Sequence, residues 1–250
     1  MKKRILLGAI LLAIVVFASS CDFEWVNNIV SKPDNDRKVS SVNLQNSDKS
    51  EETTPIQLSD VPAFNNEASI EINSNTPFFT EDEYTTSSYE YYSDLDNLGR
   101  CGVCYACIGP DIMPTEERGP IGMVKPSGWQ TIKFDFVDGK YLYNRCHLIG
   151  YQLTGENANT KNLITGTRYL NVVGMLPYEN EVADYVYKTK NHVLYRVTPM
   201  FQEDNLVANG VLMEAYSVED DGRGVCFNVY CYNAQPHVII DYKTGKAEAR

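Results

Sequence analysis

Tyr143-Asn144-Arg145-Cys146-His147-Leu148-Ile149-Gly150-Tyr151 is the stretch on which the reading of this chain turns. It begins as the returning arm of a hairpin. Upstream, Thr131-Ile132-Lys133-Phe134-Asp135-Phe136-Val137 alternates with period two, Asp138-Gly139 is a turn signal, and Lys140-Tyr141-Leu142-Tyr143 leads back. A strand therefore ends beside an arginine and a histidine. Downstream, residues 178–187 read as a helix with Val182, Ala183, Val186 and Tyr187 on one face, and Pro177 sits where a first helical turn tolerates it. Residues 192–197, 206–217 and 225–232 read as strands, with 238–242 as a further one. Hairpin, helix, then strands predict an α+β domain with a mostly antiparallel sheet.

The rest of the chain is organised around that domain, expected over residues 92–250. Met1-Lys2-Lys3-Arg4 is a basic start, residues 5–18 are an uninterrupted apolar run, and Ala18-Ser19-Ser20-Cys21 follows. A membrane-spanning helix needs roughly 20 apolar residues, so this run suits an export signal over residues 1–21. Small residues before Cys21 are the pattern of a lipoprotein signal, in which the thiol is lipidated and tethers the chain to the outer face of the membrane. Residues 22–91 are rich in Ser, Asn, Asp, Glu and Thr and show no persistent period, which predicts a disordered acidic tether. Charge supports the division. The 250-residue chain carries a net −11; residues 22–91 hold 4 basic and 14 acidic side chains, residues 92–250 hold 15 and 19. The acidic total argues against a polyanion binder working by bulk positive charge, while the near-neutral domain leaves room for a local basic cleft.

The three histidines are His147, His192 and His237. The last two read as surface or strand-end residues. His147 keeps different company: Asn162 and Asn171 lie downstream and Glu179 opens the helix. A neutral imidazole can take a proton from water, an amide oxygen can bind Mg²⁺ without adding charge, and an arginine fork can bind phosphate. That set suits hydrolysis of a phosphodiester.

At these residues the chain resembles the DNA/RNA non-specific endonucleases of ββα-metal fold, in the branch that holds the secreted streptococcal-type DNases. The family tetrad Asp-Arg-Gly-His reads Asn144-Arg145-Cys146-His147 here. Arg118-Gly119-Pro120-Ile121-Gly122, Lys125-Pro126-Ser127-Gly128-Trp129, Lys161-Asn162-Leu163, Leu170-Asn171, Tyr178-Glu179, Tyr195-Arg196-Val197-Thr198 and Asp241-Tyr242-Lys243-Thr244-Gly245 match in order. The resemblance implies a ββα-metal core with His147 as general base, Asn171 as the direct Mg²⁺ (or Mn²⁺) ligand, and Glu179 positioning metal-bound water. It makes Asn162 a neighbouring or substrate-side amide, and Arg145 and Arg168 phosphate contacts. The implied partners are DNA, with RNA open, and the membrane through Cys21; no protein partner is expected. Asparagine in place of the family aspartate at 144 motivates an alternative, a surface lipoprotein that binds nucleic acid or another polymer and cleaves it weakly.

Cys101, Cys104, Cys107, Cys146, Cys226 and Cys231 remain if Cys21 is lipidated. An even number in an exported chain predicts a covalent brace or buried thiols. Cys226 and Cys231 are five apart on one strand and so face opposite sides. Cys101-Gly-Val-Cys104-Tyr-Ala-Cys107 also admits a metal- or redox-active reading.

Overall fold

The computed structural model describes residues 56–250; the export signal, Cys21 and the first part of the expected tether lie outside the described residues. Long runs of β-branched and aromatic residues in the last third of the chain build the framework. β6 (Val193–Met200), β7 (Gly210–Ser217) and β8 (Cys226–Tyr232) pair antiparallel in sequence order. β3 (Cys104–Ile108) adds beside β6, β2 (Tyr89–Tyr92) beside β3, and β1 (Ser69–Glu71) on the far edge against β8. The result is a six-stranded antiparallel sheet in the order β1-β8-β7-β6-β3-β2.

One face of that sheet carries the site. Val197, Val211, Met213, Phe227 and Val229 point into a core shared with Cys146, Leu148, Ile149, Leu153, Ile164, Leu170, Met175, Val182 and Val186. These belong to a second layer made of β4 (Tyr143–His147), a one-turn α1 (Tyr151–Thr154), β5 (Leu163–Thr167), a π-helical turn (Leu170–Met175) and α2 (Leu176–Thr189). β4 and β5 form a separate two-stranded antiparallel sheet, and β9 (Val238–Ile240) pairs with β10 (Ala247–Ala249) near the end of the chain. A mixed structure with mostly antiparallel strands is the class expected.

Three expectations are corrected. Residues 131–137 are not a strand: the arms meet at one bridge, Lys133 with Tyr141, and the chain turns between Phe134 and Lys140 through the hydrogen bonds Val137 N to Phe134 O and Lys140 N to Val137 O. The regular strand begins only at Tyr143, where β5 offers a partner. In α2, Val182 and Val186 are buried as expected, but Tyr187 is 70% exposed. Residues 56–91 do not behave as a tether. Ile56, Leu58, Val61, Phe64, Ile70 and Ile72 pack on Met200, Leu212, Tyr230 and Tyr232 across the second face of the sheet, and Glu83 binds Arg196 at 2.9 Å. Those apolar residues have no regular spacing because they lie in loops, short turns and the three-residue β1, over a surface supplied by residues more than a hundred positions away, so no local period reveals them.

Candidate active site

His147 ends β4 with its imidazole almost fully buried, at 6% exposure. Its ring is held at both nitrogens. Nε2 lies 2.8 Å from the carbonyl oxygen of Asn157, and Nδ1 lies 3.2 Å from Nη2 of Arg118. A carbonyl only accepts and a guanidinium only donates, so the proton sits on Nε2 and Nδ1 keeps its lone pair. Burial pushes the imidazole down to about 4, and the neighbouring Arg118 charge adds to that effect while the bond to Asn157 opposes it. At neutral pH the ring is therefore an unprotonated base whose Nδ1 lone pair is engaged by Arg118.

Glu179 approaches from the first turn of α2. Desolvation raises its carboxyl to about 8, and Arg118 pulls the other way. Its carboxyl lies against the backbone of Gly150, where a Cβ would come within 3.0 Å of both carboxyl oxygens, so the Gly150 position has to stay bare. Gly150 and His147 are kept in place by Asn162. Asn162 is fully buried; its Oδ1 accepts from Ile149 N at 2.8 Å, its Nδ2 donates to Ile149 O at 2.9 Å, and its backbone carbonyl accepts from Leu148 N at 2.9 Å. Of the two roles the resemblance implies for Asn162, neighbouring or substrate-side amide, these contacts fit the first: it braces the turn that carries the histidine.

Asn171 is presented by the π-helical turn, whose wider i to i+5 spacing is marked by Leu176 N donating to Asn171 O. Its Nδ2 donates to Asn144 Oδ1 at 3.2 Å, and its Oδ1 receives the Cys146 thiol at 3.1 Å. A thiol is a weak donor, so this oxygen is oriented but only lightly engaged. Asn144 supplies through its amide oxygen the acceptor that a carboxylate would supply there. The same Oδ1 lies 3.5 Å from Nη1 of Arg168, whose Nε and Nη2 both hold Asp138.

These residues line a cleft of about 780 Å³ together with Arg118, Trp129, Thr131 and Tyr141. Arg145 also reaches it but is committed elsewhere. Its Nε donates to Val124 O, its Nη2 donates to Gly122 O at 2.7 Å, and its guanidinium covers the Trp129 ring at 4.1 Å. These contacts make Arg145 a strut that pins residues 122–129 against β4, whatever part it takes at the cleft it lines. Sequence reasoning overlooked Arg118 as a site residue. It lies in the quoted Arg118-Gly119-Pro120 segment, which has no period and no regular element, and only the folded chain brings it against His147 and Glu179.

All six cysteines among the described residues carry free thiols; Cys226 is exposed and the other five are buried. Among the described residues no three His, Cys, Asp or Glu side chains converge as a metal site. Asn171 offers an amide oxygen, a different kind of donor.

With the geometry in view, comparison with known proteins is informative. The fold resembles the nuclease NucA from Streptococcus agalactiae, solved with magnesium ion bound, at 25% identity and a TM-score of 0.63, covering 72% of this chain and 87% of that one. The metal-free form of NucA aligns at 26% identity with the same TM-score, covering 72% of this chain and 86% of that one. The Sda1 nuclease with bound zinc ion shares the fold at 24% identity and a TM-score of 0.60, covering 73% and 97%. The DNA/RNA non-specific endonuclease model matches residues 80–219, more than half of the chain and beginning inside the segment expected as a tether. The chain belongs to the DNA/RNA non-specific endonuclease family.

Proposed function

We propose that this nuclease is exported, is tethered to the outer face of the cell membrane through Cys21, and hydrolyses phosphodiester bonds of DNA, and of RNA by the same chemistry, with Mg²⁺ or Mn²⁺. The observation that carries the chemistry is the fixed tautomer of His147. Nε2–H is held on the Asn157 carbonyl, so Nδ1 is the nitrogen left to accept the proton of an attacking water, once Arg118 turns from it to the phosphate. Arg118 lies on the same nitrogen and within electrostatic reach of Glu179, so its cation is placed to meet phosphate oxygens as they enter. Arg168, farther along the cleft, adds a second guanidinium.

The donor set fits a hard divalent cation. Asn171 Oδ1 would hold it directly, with its orientation set by Asn144, and Glu179 would stand beside it as the carboxyl whose ionisation a cation favours. Bound there, such an ion polarises the phosphate and stabilises negative charge as it develops on the oxygens. Glu179 would orient water on the metal side of the cleft, while Asn162 keeps the histidine in register. Magnesium in NucA supports the choice of metal. Asn144 supports hydrolysis over mere binding, because it retains the contact to Asn171 that an aspartate would make.

The test is degradation of plasmid DNA by the full chain with Mg²⁺, beside EDTA and His147→Ala. Cleavage lost in both controls is expected. Folded protein that leaves DNA intact with either Mg²⁺ or Mn²⁺ would overturn the reading. Export and tethering are checked separately: Cys21→Ala should move the protein from the membrane fraction to the medium.

A further inference from the structure

β4 and the chain that leads into it lay out the cleft in order. His147 is at one end; Asn144 and Asn171 come next; Arg168 follows, with its backbone N–H on Leu142 O at 2.7 Å. Tyr141 stands at the outer end, bridged to Lys133. At about 3.3 Å per residue, the six positions from His147 to Tyr141 span roughly 20 Å, enough for a few nucleotides of an extended strand.

Tyr141 differs from the other aromatics of the cleft. The Trp129 face is covered by Arg145, Tyr143 is buried, and Tyr151 donates its hydroxyl to Glu116 O. Tyr141 is 46% exposed, and Lys133 Nζ lies over its ring at 4.5 Å. The local carboxylates are already matched: Asp135 is paired with Lys140 and Asp138 with Arg168. An exposed ring with a cation against it, continuous with a cleft that already holds guanidinium groups, is the combination that takes a base by stacking and its phosphate by charge.

We propose that Tyr141 and Lys133 form a nucleotide-stacking subsite that engages an unpaired base a few nucleotides from the scissile phosphate, so that the enzyme favours single-stranded or frayed nucleic acid over intact duplex. The proposal rests on the nuclease reading for the location of the scissile phosphate. The preference follows because both faces of a base within a duplex are already stacked, whereas an unpaired base has a face to offer. Lys133 shifts from the ring to the phosphate when the base arrives.

The test separates this from catalysis. Fluorescence anisotropy of the full chain in EDTA uses a short oligothymidylate and an abasic oligonucleotide of equal length. The base-bearing probe should bind roughly ten-fold more tightly, in line with the stacking scale for one base. Tyr141→Ala should remove most of that difference, and Tyr141→Phe should keep it. In Mg²⁺, Tyr141→Ala should also lower the ratio of single-strand to duplex cleavage. Equal losses for both probes, or none, would overturn the subsite. Absence of cleavage with the binding pattern intact would instead count against the nuclease chemistry.

Discussion

The six-stranded sheet and the β4–β5 arm are made of different materials. The sheet is held by apolar burial on both faces, with Leu194, Tyr195, Val211, Leu212, Val229 and Tyr230 at 1% exposure or less. The arm has only two strands of five residues, too little to stand alone. It packs one side on the sheet and is otherwise tied by directional polar contacts. Asn233 Oδ1 accepts from Thr167 N, and its Nδ2 donates to Thr165 O and Ala208 O; Thr165 Oγ1 donates to Ser127 O; Asn162 holds residues 148 and 149. Apolar packing is non-directional, whereas a hydrogen bond constrains angle as well as distance, and a general base works only within hydrogen-bond reach of its proton. The molecule thus places its non-directional stability in the sheet and its directional precision in the arm.

Substitutions can break that division in order of size. His147→Ala should lower the cleavage rate per folded molecule by about 10²–10⁴-fold, the usual worth of a general base, with some loss of stability because the ring is buried. A plasmid assay normalised to folded protein by thermal unfolding reads both; activity per folded molecule equal to that of the parent would mean the ring is not the base. Asn171→Ala should reduce the rate by roughly a hundred-fold or more, the scale set by several kcal/mol of charge stabilisation, and should shift the Mg²⁺ dependence to higher concentration. A Mg²⁺ titration identical to that of the parent would remove Asn171 from the metal site.

The next pair compares the regions directly. Leu212→Ala in the sheet should cost about 2–5 kcal/mol of stability through the cavity it leaves. Asn162→Ala in the arm should cost about 2–4 kcal/mol by leaving the Ile149 N–H and C=O unpaired. Denaturant unfolding would find these similar, but only Asn162→Ala should slow cleavage per folded molecule, about ten-fold, because only it frees the turn carrying His147. Equal activity in the two variants would erase the distinction between the regions.

pH acts on the two buried groups of the site in opposite directions. His147 is lowered from 6.5 to about 4 on folding, so the unfolded chain takes up its proton first and stability falls as pH drops through that interval. Glu179 is raised from 4.5 to about 8, so the unfolded chain ionises first and stability falls as pH rises from 4.5 toward 8. Between pH 4.5 and 6.5 the two effects offset each other in the parent, so its unfolding midpoint should fall chiefly above pH 6.5; His147→Gln should make the midpoint fall with pH from 4.5 upward, and Glu179→Gln should leave only the fall toward acid. The rate of cleavage should not halve near pH 6.5, since the buried imidazole stays unprotonated to lower pH. A rate profile with an ordinary histidine midpoint would show the ring to be solvated in the working enzyme.

Much of the architecture was legible because it is written in local patterns. The strands β6, β7 and β8 and the helix α2 announce themselves by runs and periods, and His147, Asn171 and Glu179 stand in a spaced motif that the fold brings to one cleft. What was not legible depends on partners far along the chain. Arg145 and Asn162 look like site residues in sequence, yet one is absorbed by the carbonyls of Gly122 and Val124 and the other by Ile149. Arg118 gave no local signal and became part of the site through its contact with His147.

By itself, the sequence determined the α+β class, the order of most elements and a spaced set of residues, His147, Asn171 and Glu179, that the fold brings to one cleft, because periodicity and motif spacing are local properties. Only the tertiary structure decided that residues 56–91 cover and extend the sheet, that the His147 ring is held with Nε2 on a backbone carbonyl, and which polar side chains line the cleft and which brace the backbone. Those outcomes turn on hydrogen-bond partners and buried surfaces supplied by distant segments, and a linear pattern does not contain them.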